Sequence, residues 1–367
     1  MNYYLIAGEA SGDLHGSNLI KELLKIDKEA KCFAWGGELM ESAGAVLRKH
    51  YRDLAFMGFV EVVKNIRAIF RNIDFCKSDI LAFKPDVIIL IDYPGFNLRI
   101  ANWAKSQNIK VFYYISPQIW AWHSSRIHQI KRNVEKMFVI LPFEKDFYKK
   151  EQFEVDFVGH PLLDAIADFK PDINFSSANC LGSKPIIAIL PGSRKQEVST
   201  ILPIVLDIQS SFPSFEFVIA AAPSLELAYY KQIIGSHTIK IVCNQTYQLL
   251  FHSKAAIVAS GTATLETALF NVPEVVVYKG NWLSYYIAKK LIDLKYISLV
   301  NLIADREIVK ELIQGDFNKT NLVNELKKIT DSQKQQSIKS AYSELRQQLG
   351  DVGASSRCAD LIVRALH

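Results

Sequence analysis

The sequence predicts an α/β protein with two parallel sheets, each covered by helices on both faces. Three observations support this. The 367 residues exceed one typical domain of about 100–200 residues. Short, continuously apolar runs alternate with longer amphipathic stretches, which is typical of parallel strands joined by helical crossovers. A turn-rich stretch at residues 167–184 interrupts this alternation, which then resumes.

Each half is expected to form its own sheet. In the first half, residues 1–170, the apolar runs are 3–7, 31–35, 87–91, 111–115 and 137–141. In the second half, residues 171–353, they are 186–190, 215–221, 239–242, 255–259 and 274–278. The last helical stretch, 354–367, has an apolar face, and we expect it to cross back and pack on the first half.

Composition and charge exclude several classes of protein. The formal net charge of +5 comes without a dense block of Lys or Arg, so no nucleic-acid partner is expected. This charge fits an anionic substrate and an anionic membrane surface equally well. No apolar run reaches the roughly 18 residues that a spanning helix needs. We therefore expect a cytoplasmic protein that is at most peripherally attached to a membrane.

The cysteines and glycines argue against a metal centre and a dinucleotide. The five cysteines are scattered, without zinc-binding spacing, which is typical of reduced thiols in a cytosol. The dinucleotide fingerprint G-x-G-x-x-G is missing after the first strand, which disfavours an NAD-dependent dehydrogenase. No metal site is expected.

The loops after the apolar runs are the candidates for chemistry, because open parallel sheets bind ligands beyond the carboxyl ends of their strands. The first such loop, 8–16, holds Gly8 and Gly12 and can bring its backbone close to an anion. It is equally compatible with a plain strand-to-helix turn capped by Ser11 or Asp13.

Asp92 directly follows the run 87–91. A carboxylate at the carboxyl end of a strand is a candidate general base. The alternative is that Asp92 caps the next helix or is simply solvated.

The loop after the run 186–190 suits a pyrophosphate. Gly192 and Ser193 offer backbone N–H groups, and Arg194 offers a guanidinium. The alternative is an ordinary turn with a surface arginine.

The segment after the run 255–259 also suits a phosphate. Gly261 and Thr262 open a helix, whose N-terminus favours anions. Glu266 lies about one turn further on, where its carboxylate can hold a ribose diol or simply interact with the helix dipole. Two loops of this kind in one half indicate a nucleoside-diphosphate donor.

Seven motifs, taken in chain order, resemble those of the lipid-A-disaccharide synthase family. They are 7–16 (AGEASGDLHG), 57–61 (MGFVE), 116–122 (SPQIWAW), 158–162 (VGHPL), 190–194 (LPGSR), 260–266 (SGTATLE) and 296–304 (YISLVNLIA). Together they run through nearly the whole chain and are highly specific.

The resemblance implies a GT-B fold, in which two Rossmann-like domains flank a central cleft. The family joins a UDP-linked 2,3-diacylglucosamine to 2,3-diacylglucosamine 1-phosphate. The products are a β-1,6-linked disaccharide phosphate, on the route to lipid A, and UDP. The UDP-sugar is the donor substrate and no cofactor is expected. The absence of an Asp-x-Asp motif from the chain agrees with a metal-independent transfer.

The resemblance also implies roles for particular residues. Asp92, within the motif Asp-x-Pro-x-Phe-Asn, is expected to be the catalytic base. Arg194, Glu266 and Asn301 are expected to face the UDP. Gly95 stands where many members have a second acidic residue, so Asp92 is the only carboxylate in its loop.

The acceptor and the membrane are assigned to the first half. Acceptor-binding residues are expected to be Glu9, Ser11, Gly12 and His15. The stretch 57–75 is expected to face lipid and acyl chains through Met57, Phe59, Val62, Ile66 and Phe70, with Ile73 on the same helical face and Arg67 and Arg71 opposite. An ordinary core-packed helix is the alternative.

The expected partners are acylated glucosamine substrates and the surface of the inner membrane, and the expected assembly is a monomer or a weak homodimer. Three other functions fit the scaffold. They are another GT-B enzyme acting on UDP-N-acetylglucosamine, a UDP-sugar 2-epimerase and a non-catalytic nucleotide-sugar-binding protein. Loss of Asp92 or Arg194 would favour the last, and both residues are present.

Overall fold

The computed structural model describes residues 1–54, 66–122, 126–280 and 295–367. The chain forms two compact units. The first unit contains Met1–Asp164 and Leu349–His367, and the second contains Ala165–Gln348. The boundaries expected from the sequence, 170/171 and 353/354, lie five or six residues further along the chain, because a turn-rich composition marks a linker but not the residue at which the contacts change.

The first unit is built on a parallel sheet. Its described strands are β1 (Asn2–Ala7), β2 (Lys31–Gly36), β3 (Val46–His50), β4 (Val87–Ile91), β5 (Lys110–Tyr114), β6 (Lys136–Val139) and β7 (Asp156–Phe157). They pair in the order β3-β2-β1-β4-β5-β6-β7, and each pairing is parallel.

Helices connect these strands. They are α1 (Ala10–Ile26), α2 (Glu38–Ser42), α3 (Ile66–Phe83), α4 (Pro94–Ser106), α5 (Ile119–Trp122), α6 (Ile127–Asn133), α7 (Pro142–Lys150) and α8 (Leu162–Ala167), with a 3-10 turn at Tyr51–Leu54.

The second unit repeats the plan. Its described strands are β8 (Ile186–Leu190), β9 (Glu216–Ala221), β10 (Lys240–Cys243), β11 (Ser253–Ala259), β12 (Glu274–Tyr278) and β13 (Lys310–Ile313). They are parallel in the order β10-β9-β8-β11-β12-β13.

The helices that follow in the chain are α9 (Phe175–Ala178), α10 (Lys195–Ile208), α11 (Leu227–Ile234), α12 (Thr246–Phe251), α13 (Thr262–Leu269), α14 (Leu299–Ala304), α15 (Lys319–Thr330), α16 (Ser332–Gln348) and α17 (Ala354–Leu366), with a 3-10 turn at Gln209–Ser211.

The fold class is the predicted one, and the apolar runs are the central strands. In β4 and β8, for example, all five residues are buried, since helices cover both faces of a parallel sheet. Three strands escaped prediction. β3 and β13 lie at sheet edges and carry polar, partly exposed side chains, and β7 has only two residues.

Each sheet reverses its strand order at one place, between β1 and β4 in the first unit and between β8 and β11 in the second. On one side of this switch point the crossovers run one way along the sheet, and on the other side they run the opposite way. The loops after the two central strands therefore separate and leave room for a ligand.

The C-terminal helix α17 belongs to the first unit, where it packs along α1. Its residues Cys358, Ala359 and Ile362 are fully buried. The Asp164 carboxylate accepts hydrogen bonds from the backbone N–H groups at the start of α17, at 2.6 Å from Gly353, 3.2 Å from Ala354 and 2.9 Å from Ser355. The predicted return of this helix to the first half is confirmed.

Replacing Asp164 by Ala should lower the free energy of unfolding of the first unit by about 1–3 kcal/mol, because three N–H groups lose their acceptor. Urea unfolding followed by circular dichroism measures this change. Asp168→Ala removes an exposed carboxylate from the same segment and should change stability by less than about 0.5 kcal/mol. Equal losses in the two variants would contradict the capping role of Asp164.

Candidate active site

The predicted site residues fall into two groups, one at each switch point. In the first unit the β1 and β4 strands run side by side with Ala7 opposite Ile91, so the loop beginning at Gly8 lies beside that of Asp92. In the second unit β8 and β11 are paired in the same way, so the loop of Arg194 lies beside that of Gly261.

Asp92 sits in a backbone conformation that its neighbours hold in place. Asp92 and Tyr93 have φ values of 44° and 50°, in the left-handed region that is unfavourable for residues with a side chain. The Asp92 carbonyl oxygen accepts hydrogen bonds from the Tyr113 hydroxyl at 2.6 Å and from Asn97 Nδ2 at 2.7 Å. Asn97 belongs to the motif read from the sequence, whereas nothing in the sequence pattern pointed to Tyr113.

The surroundings of the Asp92 carboxyl favour its neutral form. Burial of this half-exposed residue among protein atoms is the largest of the effects that together raise its pKa to about 7. The negative charge of Glu9 acts in the same direction, and a hydrogen bond from the Tyr93 backbone opposes the shift. A carboxylate with a pKa near neutrality is suited to accept a proton during a reaction.

Gly8 is required by the close approach of the two loops. A Cβ atom on Gly8 would lie 2.3 Å from Cγ of Tyr93. The Tyr93 ring in turn stacks on Phe96, with 5.8 Å between ring centroids. Any larger residue at position 8 would displace the Tyr93 ring and with it the turn that carries Asp92.

The suggested cap of the first helix by Ser11 or Asp13 is wrong. Helix α1 has Glu9 at its N-cap position, without a side-chain cap. Asp13 is buried and instead accepts hydrogen bonds from the backbone N–H groups that begin α2, at 2.7 Å from Gly37 and 3.0 Å from Met40. Its acidic side chain is therefore structural.

The four residues assigned to the acceptor differ in accessibility. Glu9 and Ser11 are partly exposed beside the Asp92 loop, while Gly12 is buried against Ala7. The His15 side chain is also buried, and this burial lowers its pKa to about 4, although the charge of Asp164 acts in the opposite direction. The ring is thus neutral and largely enclosed by protein, and its role in acceptor binding stays a prediction.

The loop after β8 already binds an anion from its own chain. The carboxylate of Glu197 accepts hydrogen bonds from the backbone N–H groups of Ser193 at 3.1 Å and Arg194 at 3.3 Å. Gly192 has a φ of 101°, and a Cβ there would lie 2.3 Å from Oε2 of Glu197. The sequence analysis missed Glu197, although a glutamate three residues after a helix N-cap is a known capping signal.

The Arg194 guanidinium lies at the surface, with 56% of its side chain exposed, and Nη1 is 3.5 Å from Glu197 Oε1. Exposure leaves the guanidinium accessible to a phosphate. A bound phosphate would take the place of the Glu197 carboxylate beside the guanidinium and would carry a higher negative charge.

The loop after β11 presents the open start of a helix. Gly261 and Thr262 are exposed, and no side chain caps α13 at Gly261. Within the loop, Ser260 Oγ donates to the carbonyl oxygen of Ile297 at 3.0 Å. The first N–H groups of α13 therefore lie in an exposed turn without a side-chain cap, in a segment that the chain holds in place, and such a helix start is suited to a phosphate.

Glu266 lies on the second turn of α13 and is partly buried. Its Oε1 accepts a hydrogen bond of 2.9 Å from the hydroxyl of Tyr247, on α12. Burial raises the pKa of Glu266, and the Tyr247 hydrogen bond lowers it. Sequence reasoning missed Tyr247, because the two residues meet only through the packing of two helices.

Asn301 has a different environment from the one expected. It is fully buried, and its Oδ1 accepts from the backbone N–H groups of Ile308 at 2.7 Å and Val309 at 3.0 Å. Its Nδ2 donates to the Val309 carbonyl oxygen and to Glu311 Oε1, both at 2.9 Å. The Asn301 amide is thus hydrogen-bonded within the protein, and its expected contact with UDP stays a prediction.

Glu311, which the sequence analysis did not single out, organises the same segment. Its carboxylate also accepts hydrogen bonds of 2.9 Å from the backbone N–H groups of Ile297 and Ser298. Ile297 in turn accepts from Ser260, at the edge of the exposed α13 loop. Asn301 and Glu311 therefore position the segment that supports this loop.

Only part of the predicted lipid-facing element lies within the described residues. Met57, Phe59 and Val62 lie outside the described residues, as does the side chain of Ile66. On α3, Phe70 is 54% exposed, whereas Ile73 is buried in the core. Arg67 and Arg71 are exposed as well, so Ile73 is separated from the basic residues by its burial, whereas Phe70 shares their exposure to solvent.

The described ranges contain neither a metal-binding cluster nor a membrane-spanning helix. No group of three or more His, Cys, Asp or Glu residues there has an arrangement that could hold a metal ion. Among the helices of those ranges, none combines the length and the apolar character needed to cross a bilayer.

Solved structures share the fold. UDP-GlcNAc 2-epimerase from Methanocaldococcus jannaschii, solved in complex with UDP-GlcNAc and UDP, superposes with a TM-score of 0.67 at 14% identity, and the match covers 99% of this chain and all of the other. At this identity the likeness shows the fold alone, and it confirms the expected GT-B architecture.

Sequence comparison is more specific. The lipid-A-disaccharide synthase of Syntrophus aciditrophicus (strain SB) is 38% identical over 364 residues, covering 97% of this chain and 95% of that protein. That of Coxiella burnetii (strain CbuG_Q212) is 37% identical over 367 residues, covering 98% and 96%. A family model described as lipid-A-disaccharide synthetase matches residues 3–363. The chain therefore belongs to the lipid-A-disaccharide synthetase family.

Proposed function

We propose that this protein joins a UDP-linked 2,3-diacylglucosamine to 2,3-diacylglucosamine 1-phosphate and releases UDP and a β-1,6-linked disaccharide 1-phosphate. The observation that carries this proposal is the family match over residues 3–363. The Asp92 carboxyl, positioned at a switch point with a pKa of about 7, provides the chemistry. The first unit binds the acceptor, and the second binds the donor.

Asp92 acts as the general base. The primary hydroxyl of the acceptor attacks the anomeric carbon of the donor, and its proton passes to the Asp92 carboxylate as the new C–O bond forms. The bond between the anomeric carbon and the UDP oxygen breaks, and UDP takes its electron pair. Attack from the face opposite UDP inverts the anomeric centre.

The second unit stabilises the departing UDP. Charge develops on the diphosphate as the glycosidic bond breaks, and the N–H groups that begin α13 can accept it without a strong acid. Arg194 adds a full positive charge from the neighbouring loop. Glu266, one turn into α13, accepts hydrogen bonds from the ribose hydroxyls.

The alternatives share the scaffold but fit the family match less well. An enzyme acting on UDP-N-acetylglucosamine or a non-catalytic nucleotide-sugar binder would have the same phosphate loops. Neither accounts for the match of residues 3–363 to the lipid-A-disaccharide synthetase family model. We place the protein in the cytoplasm, on the inner-membrane surface, as a monomer or a weak homodimer.

The reaction and its base are tested in one assay, in which the protein receives the acceptor with acylated or non-acylated UDP-glucosamine. UDP should be released with the acylated donor. Asp92→Asn should lower kcat by about 10²–10⁴ with little change in UDP affinity, since the amide has no basicity. Because the base must be ionised, wild-type kcat/KM should fall about tenfold per pH unit below pH 7.

Glu154→Gln, at an exposed position, is the control for loss of a carboxylate and should leave turnover unchanged. Near wild-type turnover in Asp92→Asn would exclude Asp92 as the base and make Glu9 the next candidate. Release of UDP from the non-acylated donor alone would contradict the proposed substrate.

Arg194→Ala should weaken UDP binding by roughly tenfold to a hundredfold, because a charge-assisted contact with phosphate is worth about 1.5–3 kcal/mol. Isothermal calorimetry with UDP measures the loss. Lys195→Ala removes the same charge from the next exposed position and should have a much smaller effect. Unchanged affinity in a folded Arg194→Ala variant would place the phosphates elsewhere.

Phe70→Ser should reduce binding to vesicles of anionic lipid by about tenfold or more, since burial of a phenylalanine side chain contributes about 1.5–3 kcal/mol. Met57→Ser and Phe59→Ser should act in the same direction. Vesicle sedimentation measures the effect. Phe251 in the second unit is 51% exposed and provides a matched control as Phe251→Ser. An equal loss in the control, or no loss in Phe70→Ser, would contradict a lipid contact at α3.

A further inference from the structure

The Tyr247 side chain is held in a single place by aromatic packing. Its ring lies 5.0 Å from the Phe270 ring at an interplanar angle of 49°, and 6.1 Å from the Phe169 ring, edge to face. Contacts of this kind restrict an aromatic ring strongly, because they fix both its position and its tilt. The Tyr247 hydroxyl is therefore a donor with a defined direction.

That donor points at one oxygen of Glu266. The Tyr247 hydroxyl lies 2.9 Å from Glu266 Oε1. Among the residues that the structure describes, no donor reaches the second oxygen, Oε2. A carboxylate can accept about four hydrogen bonds. Glu266 is thus a carboxylate with one oxygen fixed and the other available.

The position of Glu266 relative to the phosphate loop matches a nucleotide. Thr262 begins α13 and Glu266 follows four residues later, so the two lie about 6 Å apart along the helix at 1.5 Å per residue. The separation of a phosphate from the ribose hydroxyls within one nucleotide is of the same order. A nucleotide bound by its phosphates at Thr262 therefore has its ribose within reach of Glu266.

We propose that Tyr247 is a positioning residue, which aims Glu266 Oε2 at the ribose diol and so lets the protein distinguish ribonucleotides from 2′-deoxyribonucleotides. This inference rests on the proposed function, since it requires UDP in the second unit. Tyr247 does not touch the nucleotide. It acts by occupying Oε1 and by fixing the rotamer of Glu266, so that the diol meets an acceptor already in place.

The chemistry of the pair supports this role. A phenol hydroxyl donates to the carboxylate and favours its ionised form, which accepts hydrogen bonds and cannot donate them. A ribose diol offers two donors, and 2′-deoxyribose offers one. Removing the Tyr247 hydroxyl should therefore weaken binding of the diol more than binding of the deoxy sugar.

The test is calorimetry of the full-length protein with UDP and with 2′-deoxy-UDP. Wild type should bind UDP about tenfold more tightly, as expected for one hydrogen bond to a charged group. Tyr247→Phe keeps the ring packing and should reduce this ratio to about threefold, mainly because its affinity for UDP is lower. Glu266→Gln should bring the ratio near one, and the double variant should show no further change.

Tyr342→Phe is the matched control, because Tyr342 donates to Glu274 Oε1 at 3.5 Å, at the amino-terminal end of β12 and therefore at the opposite edge of the sheet from the loops. It should leave the ratio unchanged. An unchanged ratio in Tyr247→Phe, or equal weakening of both nucleotides, would overturn the positioning role, as would an unchanged ratio in Glu266→Gln. Failure of the wild type to bind UDP would instead refute the proposed donor site.

Discussion

The reversal of strand order within each sheet is the constraint on which the site depends. Because crossovers leave β1 and β4 in opposite directions, their loops part just above the sheet, and the same holds for β8 and β11. Asp92 and Arg194 each follow a strand of such a pair. The buried, fully apolar strands below them provide rigid support, and this lets a residue such as Asp92 keep an unfavourable backbone conformation that a mobile loop would relax.

The sequence predicts what depends on local pattern. Buried strands appear as apolar runs, and residues at their carboxyl ends, such as Asp92 and Thr262, can be read directly as site candidates. Edge strands such as β13 give no such signal, because their side chains are partly exposed. Contacts between distant segments are equally hidden. No local sequence pattern indicates that the Tyr247 hydroxyl donates to Glu266. Nor does one indicate that the Asn301 amide oxygen accepts a hydrogen bond from the backbone N–H of Ile308.

The loop after β8 shows how a chain can hold an anion site ready without a ligand. Glu197 occupies the N–H groups of Ser193 and Arg194, so these groups are aligned and satisfied at the same time. A ligand must displace a single negative charge to bind there. Under the proposed function, a diphosphate, with its higher charge, competes better for this position than a singly charged anion does.

The return of α17 to the first unit gives the two units different relations to synthesis on the ribosome. The second unit is one continuous stretch, Ala165–Gln348, whereas the first combines Met1–Asp164 with Leu349–His367. Nascent chains fold as their domains become complete. Until residues 349–367 emerge, the face of α1 that later receives α17 stays uncovered. The unit translated first is thus completed last, after the whole of the second unit has been synthesised.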